Sequence, residues 1–139
     1  MQVETSITIS APPSTAWRVL TSPDLLTRDT GILKFHGELR PGARIKLWSE
    51  VAPNRAFSMR VTAFDIDRRM IWKGGMPFGL FTGTRTFTLS GGDRETVLDI
   101  REVFTGPMAG LITKSMPDLQ PSFEKFAKAV KHMSEETTR

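Results

Sequence analysis

Apolar and polar side chains alternate almost from the first residue. In VETSITIS, residues 3–10, Val3, Thr5, Ile7 and Ile9 oppose Glu4, Ser6, Thr8 and Ser10, which predicts a half-buried strand. The period then changes. In APPSTAWRVLTSPD, Pro12 and Pro13 suit the donor-free first positions of a helix, and Ala16, Trp17 and Leu20 supply its apolar stripe. Ser22, Pro23 and Asp24 punctuate it, and a second short helix is expected over residues 25–30.

Strand periodicity returns in six successive segments with turn signals between them. GILKFHGEL runs into Arg40-Pro41-Gly42, and ARIKLWSEV runs into Ala52-Pro53-Asn54. RAFSMRVTAFDID places Phe57, Met59, Val61 and Ala63 on one face, and RRMIWKGG does the same with Met70, Trp72 and Gly74. In GLFTGTRTFTLSGG, Thr82, Thr84, Thr86, Thr88 and Ser90 form one face; Phe81, Gly83, Arg85, Phe87 and Leu89 form the other. ETVLDIREVFTG alternates Leu98, Ile100, Glu102 and Phe104 against Val97, Asp99, Arg101 and Val103. Hairpin spacing throughout predicts a meandering antiparallel sheet. The chain closes on a stripe of Ile112, Met116, Leu119, Phe123, Phe126, Val130 and Met133 at four- and three-residue steps, the signature of a long amphipathic helix. Pro117 and Pro121 predict a kink or break in it, and the terminal SEETTR is expected to fray.

One residue breaks the apolar face of the sheet. Arg85 shares a side with Phe87 and Leu89, and a guanidinium among core residues is costly unless something meets it. Leu89 and Leu98 must both face inward, so opposed residues across the SGGDRE connection have numbers with an odd sum, 185 or 187. The second register sets Arg85 opposite Glu102; the first offsets them diagonally, roughly 7–8 Å apart and still within reach of an arginine. An inward Arg85–Glu102 ion pair is the expectation, either as a fixer of strand register or as a polar anchor in an apolar pocket.

Composition narrows the chemistry. The 139 residues are 39% hydrophobic and 24% charged, the make-up of a soluble globular chain of single-domain length, residues 1–139. With no cysteine, disulfides, thiolate metal sites and cysteine nucleophiles are excluded. No apolar run is long enough to span a bilayer, and the start lacks the pattern of a secretory signal, so a cytoplasmic protein without membrane insertion is expected. A net charge of +4 raises the question of nucleic acid, but the basic residues are dispersed along the chain and no nucleic-acid motif accompanies them. The expectation is a solvated basic surface and no nucleic-acid partner. His36 and His132 are far apart and lack carboxylates at metal-ligand spacing, so no metal is expected, and no phosphate-cradling glycine motif or hydrolase elbow implies a cofactor.

The order of elements, with ISAPPSTAWRVLTSPD at the first strand–helix junction, GELRPGARIKL at a hairpin and IREVFTGPMAGL leading into the last helix, resembles the helix-grip fold of the SRPBCC superfamily. That group includes START-like lipid-transfer domains, the birch-pollen allergen family and polyketide cyclase/dehydratase-like proteins. The resemblance implies an α+β architecture: a seven-stranded curved antiparallel sheet wrapped around a long C-terminal helix, with two short helices between strands 1 and 2. Many polyketide cyclase-like relatives carry a Trp-Asn-Pro-like segment after the first helix; LLTRDTGILKF stands there in this chain.

The resemblance also implies a hydrophobic cavity between sheet and helix. Arg85 and Glu102 would be its polar anchor, Met59, Val61, Trp72, Phe87 and Ile100 its sheet wall, and Met108, Ile112, Met116 and Leu119 its helix wall. Met76 and Phe78, at the tip of GGMPFGLF, would serve as a lid over the cavity or as a contact in a homodimer. Trp17 reads as a core anchor, whereas Trp48, opposite Ile45 and Leu47, reads as solvent-facing. His36 falls with Ile32 and Lys34, away from Leu33 and Phe35. Three functions follow as expectations. The first is the binding of a small lipid- or polyketide-like molecule without catalysis. The second is a cyclase/dehydratase-like enzyme, disfavoured because a salt-bridged glutamate is a poor general acid. The third is a protein-interaction module like the chaperone-activating branch of the superfamily.

Overall fold

The computed structural model describes residues 1–138. Seven strands, β1 (Gln2–Ile9), β2 (Ile32–His36), β3 (Arg44–Ser49), β4 (Ala52–Asp65), β5 (Arg69–Gly75), β6 (Thr82–Gly91) and β7 (Thr96–Thr105), form one antiparallel sheet in the order β1-β7-β6-β5-β4-β3-β2. Helix α1 (Pro13–Leu20) and a single 3-10 turn (Leu25–Thr27) link β1 to β2, and α2 (Ala109–Thr113) and α3 (Gln120–Thr138) follow β7. The fold is the α+β helix grip, with the sheet curled around α3.

The core forms where the inner faces of the strands meet α3. Val61, Met70, Trp72, Phe87, Leu98 and Ile100 from the sheet are buried together with Phe123, Phe126, Ala127 and Val130 from α3. Trp17 of α1 meets Phe64 edge-on at 5.1 Å and closes one end. Thr96 is fully buried, and its hydroxyl donates to the carbonyl of Ala11 (2.7 Å), tying the start of β7 to the β1–α1 junction.

Strand β1 is a sheet edge, and α3 covers it. Gln120 Nε2 donates to the Glu4 carbonyl (3.0 Å), Lys131 Nζ to the Thr8 carbonyl (2.9 Å), and the Ser10 amide to Glu135 Oε2 (2.8 Å). Backbone groups that would otherwise template another strand are thereby occupied. At the other end of the groove, Lys125 of α3 reaches Glu50 in the β3–β4 turn at 3.0 Å.

Several boundaries and faces depart from the sequence reading. The β3–β4 turn falls at Glu50 and Val51, because Ser49 pairs with Ala52; the Ala52-Pro53-Asn54 stretch belongs to β4. Bulges account for the altered faces. The extra residue at Leu33 turns Ile32 inward (6% exposed) and Leu33 outward (53%), so His36 keeps its outward position beside Lys34 but Ile32 does not. A second shift between Val61 and Ala63 sends Phe64, rather than Ala63, toward Trp17. Bulges of this kind add local twist and bend, and three successive strands carry one, which helps curl the sheet.

The second short helix is one 3-10 turn, ended by Arg28, and Thr30 is buried with its hydroxyl bonded to the Leu26 carbonyl. The long C-terminal stripe is divided as the prolines predict. Pro117 lies in the break after α2, and Pro121 sits in the first turn of α3, where its missing N–H has no helical acceptor to lose. The end of the chain does not fray as expected. Helix α3 continues to Thr138, with Ser134 fully buried and its hydroxyl donating to the Val130 carbonyl; Arg139 lies outside the described residues.

Candidate functional site

The hairpin of β6 and β7 takes the 187 register: Arg85 lies directly opposite Glu102, flanked by Gly83↔Phe104 and Phe87↔Ile100. Arg85 Nε donates to Glu102 Oε1 at 2.6 Å, and the two side chains are 22% and 11% exposed. The guanidinium also lies over the ring of Phe123 from α3, 4.7 Å from its centroid. A carboxylate on one side and an aromatic face on the other thus hold the charge, an arrangement suited to the planar arginine fork. Among the described residues, neither the Nη groups of Arg85 nor Oε2 of Glu102 makes a further hydrogen bond.

The pair stands in the wall of a cavity of about 440 Å³ between the sheet and α3. Its volume is in the range of small-molecule sites. Phe81 and Phe104 stack in parallel at 5.6 Å on one side, and Phe87 and Phe126 meet at 5.8 Å on the other. Gly83 leaves room beside the pair: a Cβ there would come within 3.2 Å of Glu102 Oε2 and 3.3 Å of the Phe104 ring. Exposed members of the wall, among them Val51, Arg55, Phe57, Met76, Ser115 and Pro117, mark its mouth.

Of the residues expected at this site, Arg85, Glu102, Met59, Phe87, Ile100, Ile112, Met116 and Leu119 line the cavity. Three do not reach it. Val61 and Trp72 are fully buried in the sheet's inner layer, Trp72 against Phe35 and Phe87, and Trp72 Nε1 has no hydrogen-bond partner among the described residues. Met108 precedes α2 and stands outside the wall, although Ile112 of α2 lines it. At the β5–β6 tip Met76 joins the wall, whereas Phe78 is 99% exposed and holds a left-handed backbone (φ 60°) that bulky residues seldom adopt. Gly75 permits the close turn behind them, since a Cβ at that position would lie 2.0 Å from the Phe81 carbonyl oxygen. Trp48 is half-buried on the outer face, against His36 and Lys34.

Phe81, Phe104, Phe123 and Phe126 were legible as inward positions, but which inward residues border empty space was not. Arg55, at the mouth, carried no signal: it lies where the β3–β4 register is irregular, and alternation does not place it.

A family model described as polyketide cyclase/dehydrase and lipid transport matches residues 1–135. No curated protein matches the chain. Among solved structures, TTHA0849 from Thermus thermophilus superposes with a TM-score of 0.74 at 19% identity, each chain covered in full. The hypothetical protein jhp0584 from Helicobacter pylori gives 0.78 at 13% identity, with 96% of this chain and 88% of that one covered. The di-domain ARO/CYC StfQ of the steffimycin biosynthetic pathway gives 0.75 at 13% identity; 99% of this chain aligns with 52% of that one. At such identities the likenesses establish the fold.

Proposed function

The chain belongs to the polyketide cyclase/dehydrase and lipid transport family, and on that premise we propose that it binds a small, largely hydrophobic molecule in the cavity between sheet and α3. The guest directs a neutral hydrogen-bonding group at Arg85 and Glu102. The observation that carries this reading is the ion pair itself: its charges offset one another while, among the described residues, the Nη donors and the Oε2 acceptor have no other partner in an aromatic-lined cavity. Such a pair suits a guest presenting an acceptor and a donor side by side, as adjacent carbonyl and hydroxyl groups do. A guest anion would compete with Glu102 for the same guanidinium.

Binding is favoured over proton-transfer catalysis. Among the described residues the cavity wall holds no histidine and a single carboxylate, Glu102, which is already engaged by Arg85. Native mass spectrometry of gently purified protein tests the reading. The expected spectrum shows an adduct of small-molecule mass that departs on denaturation and is lost from the Arg85→Met/Glu102→Leu variant. A bare chain mass, persisting after incubation with apolar hydroxy-ketones, would argue for a solid core and against the proposal.

A further inference from the structure

The opposite face of the sheet carries a second feature. Basic residues that are dispersed along the sequence are gathered there by strand register: Arg44 of β3 lies directly opposite Arg60 of β4, and Arg60 directly opposite Lys73 of β5. Lys46 stands two residues from Arg44, between His36 and Ser58 on the neighbouring strands. All these side chains are exposed, and they border a groove of about 500 Å³ whose wall, among the described residues, holds no carboxylate. Among the described residues none of Arg44, Lys46, Arg60 and Lys73 takes part in an ion pair. The nearby acids in sequence, Glu38, Glu50 and Asp65, are engaged with Arg40, Lys125 and Arg69.

Like charges directly opposed on adjacent strands destabilise a sheet, and three in a row do so twice over. An anion bridging them reverses that repulsion. The two arginines offer planar forks that suit phosphate oxygens, and the lysines offer point charges. A monocarboxylate would answer only one cation. The row spans two strand spacings, about 10 Å, which matches two phosphates better than the long stripe a nucleic acid or a membrane surface requires. The groove also exceeds the needs of a bare oxyanion, leaving room for an organic group.

We infer that this outer groove binds a small molecule carrying a diphosphate or two phosphate groups, held by Arg44, Arg60, Lys73 and Lys46. The site shares Ser58, Met59, Gly74 and Gly75 with the wall of the inner cavity but does not depend on that cavity being filled. The test is an amide NMR titration of the full chain with inorganic pyrophosphate, ionic strength held constant with chloride. Saturable shifts confined to residues 44–46, 58–60 and 73–75 are expected. Arg60→Gln/Lys73→Gln should weaken binding about tenfold or more, while Arg94→Gln/Lys128→Gln, an equal change of charge elsewhere, leaves it intact. The spectrum reports whether each variant is folded, and Lys73→Gln alone gives the same readout should the double variant unfold. Shifts that do not saturate, or that both double variants weaken equally, would overturn the site. So would a response only to anionic vesicles or an oligonucleotide.

Discussion

Arg85 makes its interactions where three conditions coincide. Glu102 is opposite, Phe123 is above, and Gly83 has no side chain to fill the space beside them. Buried ion pairs seldom outperform apolar residues of similar volume, because desolvation offsets much of their attraction, whereas removing one partner strands the other charge. Arg85→Met alone is therefore expected to lower stability by about 3–5 kcal/mol, as it leaves Glu102 almost enclosed without its cation. Arg85→Met/Glu102→Leu should recover to within ~1 kcal/mol of the parent. Chemical denaturation of the parent and the two variants decides: a double variant as weak as the single one would make the pair a structural requirement and remove the reason to give it a binding role.

At the level of elements, the paired edge strands β1 and β7 contain an electrostatic irregularity. Asp99 is half-buried, and burial, followed by the charge of Glu4 and a hydrogen bond with it, raises its pKa above the ordinary 3.8; Arg101 opposes the shift. A carboxyl that holds its proton more tightly in the folded chain contributes stability at low pH and loses it as pH rises through the folded value. Replacing it by Asn removes that loss. The melting temperature of Asp99→Asn should match the parent's well below pH 3.8 and exceed it increasingly above. A difference independent of pH would refute the assignment.

The same elements show what could be read in advance. Strand and helix periods placed the seven strands, the first helix and the long C-terminal helix in order, and the odd-sum rule across SGGDRE brought Arg85 to Glu102, since both follow from short-range alternation and one loop length. Faces failed where a bulge intervened, at Leu33 and at Thr62, because a single inserted residue inverts everything beyond it and leaves no mark in composition. The β3–β4 turn failed for a related reason: Pro53 and Asn54 look like turn residues but occupy an irregular stretch of β4 beyond a tighter turn at Glu50 and Val51.

For the whole molecule, the question is why a sheet and a helix with apolar faces do not simply close on each other. Trp72 and Val130 are fully buried, while Ile112, Met116 and Leu119, along the interruption between α2 and α3, border the cavity. The resemblance implied a cavity, and the prolines marked the break. The volume that remains depends on how side chains from many segments interleave, which no local pattern encodes. The central claim is that this volume takes an apolar guest whose polar end is read by Arg85 and Glu102. It is tested most directly by measuring the affinities of two probes of one carbon skeleton, 2-acetyl-1-naphthol and 2-ethylnaphthalene, for the parent and for Arg85→Met/Glu102→Leu. The account predicts that the parent prefers the hydroxy-ketone by about tenfold or more, the worth of one or two well-placed hydrogen bonds, and that the variant binds both probes alike. Equal affinities in the parent, or an undiminished preference in the variant, would contradict it.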